Sequence, residues 1–226
     1  MTNQIILDSG PLINLSMNCL LNILPKMKQK LNIEFLITKE VKYEIIDHPS
    51  KINRFKLGAL RLKYLFDKKI INHAKLNNQE INQLRETRNR ITQIANTTFK
   101  TRNKHLHILD KGESAALALS IILKEKTKKN IPIIIDERTT RMLCENPENL
   151  RELLSKKFHT TIKANTSNYN EFKDFKIIRS TELAYIAYKK GFINSKDPEI
   201  LEAILYGLKF KGCSISEEEI KEIIKL

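Results

Sequence analysis

The feature that most constrains this chain is a run of aliphatic residues with no alternation, Ile131-Pro132-Ile133-Ile134-Ile135, that stops at Asp136-Glu137. A strand that is apolar on both faces is covered on both sides, as in a parallel sheet. An earlier apolar run, Gln4-Ile5-Ile6-Leu7, stops in the same way at Asp8-Ser9-Gly10-Pro11. Small residues there end a strand, and Pro11 suits the first turn of a helix.

Between and after these runs the periodicity changes from strand to helix. Leu12 to Leu21 carries a broadly helical apolar stripe, and Ile33 to Ile37 is another short strand, ended by Thr38. Thr38 is a helix cap for a segment with Val41, Ile45 and Ile46 on one side and Glu40 and Glu44 sharing a face, stopping near His48-Pro49. From Gly112-Glu113-Ser114 through Leu123 the small residues describe a helix built for close packing. A further helix begins at Asp136-Glu137, and Phe175 to Ile178 is the last strand. Helices over 181–190 and 197–211, ended by Gly191 and Gly212, precede a final amphipathic segment capped by Ser216 with Glu219 three residues on. Alternating strands and helices predict an α/β fold with a doubly wound parallel sheet flanked by helices.

Charge divides the chain. Forty Lys and Arg against 26 Asp and Glu leave +14, a surplus that attracts polyanions. Residues 51–111 contain 15 Lys and Arg against four acids, supplying +11 of that total. This stretch, poor in apolar residues, reads as mostly exposed helix, with Arg85 and Arg88 on one helical face; 51–109 is expected to be a basic helical insertion, and 146–174 a second polar insertion. The bland reading of such a face is solvation alone.

Several function classes are excluded or disfavoured. Cys19, Cys144 and Cys213 form neither a disulfide framework nor a zinc pattern, which makes the cytoplasm the expected compartment. No leader is expected in the first 15 residues, and no apolar run reaches the ~18–20 residues that cross a bilayer. The histidines lie mostly in the polar stretches; His105 and His107 lack further ligands nearby and read as a solvated loop.

In an open parallel sheet ligands bind outside the carboxyl ends of the strands, where Asp8 and Asp136 stand. Glu44 and Glu113, each early in a helix, are able to join them. Like-charged carboxylates raise one another's pKa, and a hard divalent cation resolves the conflict. Each acid also has a structural role open to it: Asp8 and Asp136 as helix caps, Glu113 in a capping box with Asp110, Glu44 as a solvated helix residue.

Four segments carry a resemblance to a known family: Ile5-Ile6-Leu7-Asp8-Ser9-Gly10-Pro11-Leu12-Ile13, Ile37-Thr38-Lys39-Glu40-Val41-Lys42-Tyr43-Glu44-Ile45, Gly112-Glu113-Ser114-Ala115-Ala116-Leu117-Ala118-Leu119 and Ile134-Ile135-Asp136-Glu137-Arg138-Thr139-Thr140-Arg141. In this order they resemble the PIN-domain superfamily of metal-dependent nucleases, which includes the toxins of VapBC-type toxin–antitoxin pairs. The nearest similarity is to a prokaryotic subgroup with an extended C-terminus, here 179–226. The resemblance covers roughly 1–48, 110–145 and 175–226, and leaves 51–109 and 146–174 without a counterpart.

The resemblance implies a single PIN-like domain in which Asp8, Glu44, Glu113 and Asp136 hold Mg²⁺ or Mn²⁺ and carry catalysis, with Ser9 near the substrate. Glu137 stands where an Asp is frequent and is a further candidate ligand; Glu40 is the rival of Glu44, which fits the family's Val-x-x-Glu pattern through Val41. Arg138 and Arg141 are placed to hold phosphate, with ordinary helix salt bridging as their alternative. The implied activity is endonucleolytic hydrolysis of a phosphodiester, with RNA favoured over DNA and a 5′-phosphate left on the product. The alternative is a catalytically idle adaptor that binds nucleic acid or protein. An antitoxin-like protein and a second copy of the chain are the other expected partners, reached through 51–109.

Overall fold

A computed structural model describes residues 3–102, 104–195 and 197–226; Met1, Thr2, Asn103 and Lys196 lie outside the described residues. In chain order the elements are β1 (Asn3–Leu7), α1 (Ser9–Met17), α2 (Ile23–Leu31), β2 (Ile33–Ile37), α3 (Lys39–Lys42), α4 (Lys56–Asp67), β3 (Ile71–His73), α5 (Asn78–Thr98), β4 (Phe99–Lys100), α6 (Lys111–Thr127), β5 (Ile133–Ile134), α7 (Arg138–Glu145), α8 (Pro147–Phe158), β6 (Lys163–Ala164), β7 (Ile177–Ile178), α9 (Ser180–Lys189), α10 (Ile200–Phe210) and α11 (Glu217–Lys225). The fold is α/β. Its five-stranded sheet runs in the order β3-β2-β1-β5-β7, with β1 and β3 both parallel to β2.

That order has a direct consequence. The chain winds outward from β1 through β2 to β3, then returns to the other side of β1 for β5 and β7. The reversal leaves a crevice between the carboxyl ends of β1 and β5, the usual ligand position in sheets of this kind.

The chain divides into two compact units. The first comprises the described residues of Met1–Ala74, Ile134–Glu137 and Ile178–Leu226. Its core gathers Leu7 from β1, Leu12 and Leu15 from α1, Phe35 and Ile37 from β2, Val41 and Ile45 beyond α3, and Leu183 from α9. Ile6 and Leu36, which point to the opposite face of the sheet, are equally buried, so aliphatic residues fill both faces. Gly191 and Gly212 follow α9 and α10 with φ of +69° and +117°, conformations that L side chains resist and that end both helices.

The second unit comprises the described residues of Lys75–Ile133 and Arg138–Ile177. There α5 packs against α6, and α7 against α8, beside a two-stranded antiparallel sheet of β4 and β6. Small residues let α6 be buried along most of its length, from Gly112 to Leu123. Asn96 of α5 ties down the approach to α6: its Oδ1 accepts the N–H groups of Ile108 and Leu109 at 2.7 and 3.0 Å.

Two local expectations change. The stripe from Leu12 to Leu21 is not one helix: α1 ends at Met17, Cys19 takes a left-handed φ of +57°, and α2 starts at Ile23. The basic stretch 51–109 is divided, since α4 and β3 belong to the first unit and β3 pairs with β2 at the sheet edge, while α5 belongs to the second. The polar stretch 146–174 consists of α8, β6 and a short turn of 3₁₀ helix at Thr166–Glu171, all in the second unit. No helix among the described residues is long and apolar enough to cross a membrane.

Candidate active site

Asp8 follows β1 and Asp136 follows β5, so the two acids stand on either side of the crevice where the winding reverses. The strands are joined there, with the Asp8 N–H donating to the Ile134 carbonyl at 3.1 Å. Both carboxylates are withdrawn from solvent, at 4% and 2% exposure. Gly10 lies against both: a Cβ at that position would come 3.9 Å from the Cβ of Asp136 and 3.9 Å from an Asp8 carboxylate oxygen.

Glu44 is carried by a distorted helix. Thr38 caps α3 as expected, its Oγ1 accepting the Val41 N–H at 3.2 Å. The helix then widens over Tyr43–Asp47, where the His48 N–H reaches back five residues to the Tyr43 carbonyl at 2.9 Å. Such π-type turns are uncommon and concentrate at functional sites. Glu44 lies in this turn, and its charge acts on Asp8.

The acids differ in how they are satisfied. Asp136 is fully engaged: Oδ1 accepts the Ser180 N–H at 2.7 Å, and Oδ2 accepts the Ser180 hydroxyl at 2.8 Å and the Asn14 amide at 2.6 Å. Asp8 Oδ1 is buried and has no hydrogen-bond partner among the described residues. Burial pushes the Asp8 carboxyl up to about 7, with Glu44 and Asp136 adding to the rise and the N–H groups of Ser9 and Gly10 opposing it. At neutral pH the acid is poised between its two forms.

Asn14 and Ser180 are absent from the sequence reading, yet they set the orientation of Asp136. Both carry a legible signal: Asn14 is a polar residue on the buried stripe of α1, and Ser180 follows the last strand as Asp8 follows the first. The C-terminal segment reaches the same place. The Ser214 N–H donates to the Asp136 carbonyl at 3.0 Å, and Asp136 adds to the burial that pushes the Cys213 thiol up to about 12. Arg179, beside Ser180, donates to Glu182 Oε1 at 2.7 Å, to Glu219 Oε1 at 2.7 Å and to the Ser214 carbonyl at 3.2 Å.

Of the remaining sequence candidates, Ser9 opens α1 beside Asp8, and Glu137 is exposed at the end of the first unit's Ile134–Glu137 segment. Glu113, Arg138, Arg141, Arg85 and Arg88 are carried by the second unit. Glu113 serves as a cap there: its Oε2 accepts the Asp110 N–H at 3.0 Å. Arg141 lies 4.0 Å from Glu145 within α7, Arg85 is exposed on α5, and Arg88 donates to Asn89 at 3.3 Å. His107 hydrogen-bonds Asp110 at 2.7 Å on the surface, and His105 bridges to Lys100.

Among the described residues no three His, Cys, Asp or Glu side chains close around one point as a metal cage would. Mg²⁺ does not require one: it is commonly bound through one or two carboxylates, several waters and the substrate's own phosphate. A buried carboxylate with an unpartnered oxygen, beside two further acids, fits that mode of binding. Comparison with family models, with curated proteins and with solved structures finds no match.

Proposed function

We propose that the chain is a Mg²⁺- or Mn²⁺-dependent endonuclease of the PIN type, acting on RNA, with Asp8, Asp136 and Glu44 at its centre. The observation that carries this reading is the buried, unpartnered Oδ1 of Asp8 next to Asp136 and Glu44 at the reversal of the sheet. Asp8 and Glu44 would hold the cation, and Asp136 would face it from the fixed position that Ser180 and Asn14 give it. When bound, the cation supplies a coordinated water of lowered pKa and stabilises charge on the phosphoryl oxygens. The ionised carboxylates would orient a water for in-line attack on phosphorus and take its proton, and the 3′-oxygen would leave as a hydroxyl once protonated, with the 5′-phosphate on the other product. Ser9 opens α1 beside Asp8, and its hydroxyl would lie near the substrate.

The test is cleavage of single-stranded RNA, structured RNA and DNA with Mn²⁺, run beside Asp8→Asn combined with Asp136→Asn. Loss of cleavage in the double variant, with a cooperative unfolding transition retained, is the expected result. Cleavage that persists in it removes these acids from the chemistry. The adaptor reading draws on the complete engagement of Asp136 by Ser180 and Asn14. Tight RNA binding with no cleavage across metals and substrates would establish that reading instead.

A further inference from the structure

The first unit contains a cavity of about 520 Å³ beside Glu44. Its volume falls within the ~300–1,000 Å³ of typical small-ligand sites. Ile13 and Met17 of α1 and Phe55, just before α4, form apolar walls, and Arg54, Arg61 and Glu44 bring the charges. Met17 and Phe55 remain 55% and 50% exposed, so large apolar side chains line an open depression. Around them the chain from Lys51 to Phe66 has five Lys and Arg and no acid. The Arg54 guanidinium lies 5.5 Å from the centre of the Phe55 ring, so cation and aromatic face already act together.

We propose that this cavity receives one unstacked base of a single-stranded nucleic acid, with the adjoining phosphate held by Arg54 and Arg61. A flat apolar ring joined to an anion matches both halves of the lining. A second copy of the chain does not, because a two-fold contact would bring the same cations face to face. A base within a duplex is paired and stacked on both sides, and the cavity takes it only once it is splayed out. Glu44 lines the cavity, which puts the captured base next to one of the acids of the proposed centre. The inference rests on the nuclease reading for its link to the cleaved bond, and on the cavity alone for binding.

The test measures binding without cleavage: fluorescence anisotropy of the full chain with a labelled ten-nucleotide RNA in EDTA, as single strand and as duplex. The single strand is expected to bind more tightly. Phe55→Ala should weaken it by about tenfold, the scale of one aromatic–base stack, and leave duplex binding and the melting curve unchanged. Arg61→Ala should weaken binding and lower the salt slope by about one. RNA with an abasic site at one position should reproduce the Phe55→Ala loss with the unaltered protein, independently of any effect on folding. The proposal is overturned if Phe55→Ala and the abasic strands bind as well as their parents, if duplex and single strand bind alike, or if Phe55→Ala only dissolves a dimer or a protein complex. Base-dependent binding without metal-dependent cleavage would sink the nuclease reading and leave the cavity assignment standing; metal-dependent cleavage with binding indifferent to Phe55 and to the abasic site would do the reverse.

Discussion

The two units are made of different material. The first has 20 Lys and Arg against 16 Asp and Glu, and its whole surplus lies in 51–74, beside the cavity; the second has 20 against 10. The first buries acids: Asp8 and Asp136 are withdrawn from water at the ends of β1 and β5. The second keeps its charges outward on α5 and α8, and builds its interior from the small residues of α6. Burying carboxylates is costly without compensation, whereas an exposed basic face costs little. One unit therefore stores electrostatic strain at a point, and the other spreads a field.

The largest expected effect follows from that strain. Asp8 titrates near 7 in the folded chain against 3.8 when unfolded, so the native state binds the proton more tightly. Its contribution to stability is fully present below about pH 4 and is lost as pH rises toward 7, by up to ~4 kcal/mol. Asp8→Asn should abolish cleavage, flatten this decline and raise stability at pH 8, as read by urea midpoints across pH. Mn²⁺ should raise the melting temperature of the parent at pH 8 and leave Asp8→Asn unmoved. Identical pH–stability curves for the two proteins would break the contrast between the units at its centre.

Ser180→Ala comes next. It removes the hydroxyl at 2.8 Å from Asp136 Oδ2 and keeps the backbone N–H at 2.7 Å from Oδ1. Supporting hydrogen bonds of this kind commonly change metal affinity or activity by about 10–100-fold. Cleavage should fall by that range, with Mn²⁺ titration separating weaker metal binding from slower turnover. An unchanged rate would mean that Asn14 and the Ser180 N–H suffice to hold the carboxylate.

The sequence made β1, β2, α6 and the capped α3 and α11 legible, because each is written in local signals: aliphatic runs, Thr38, small residues, Ser216 with Glu219. β3 was not, since three residues at a sheet edge acquire their identity from pairing with β2. The break between α1 and α2 hides in Cys19, a residue type with no turn preference. Asp8 and Asp136 could be found because strand ends advertise themselves. Asn14 and Ser180 carry local marks, a polar residue on a buried stripe and a serine after a strand, but their partner lies 122 and 44 residues away in sequence, so the marks do not say what they hold.

The field of the second unit gives a smaller effect. Arg85 is exposed on α5, and Arg88 lies one turn on along the same helix. If this face grips RNA phosphates, Arg85→Ala with Arg88→Ala should weaken binding of all sequences alike and reduce the salt slope by about two. Cleavage at saturating RNA should be retained. A change in sequence preference would assign these residues to base recognition and blur the division between the units.

The smallest effect distinguishes support of the fold from support of the site. Ser216 Oγ accepts the Glu219 N–H at 3.1 Å, and Glu219 Oε2 accepts the Ser216 N–H at 2.8 Å. Glu219 Oε1 also accepts from Arg179, whose neighbour Ser180 holds Asp136. Ser216→Ala deletes only the hydroxyl half of the cap and should cost about 1 kcal/mol in urea unfolding. Arg179 keeps Glu182 and the Ser214 carbonyl as partners, so the Ser180 backbone stays in place and cleavage should be close to the parent's. A loss of cleavage as large as that of Ser180→Ala would show that α11 clamps the end of β7, and the C-terminal segment would then belong to the catalytic architecture rather than to its scaffold.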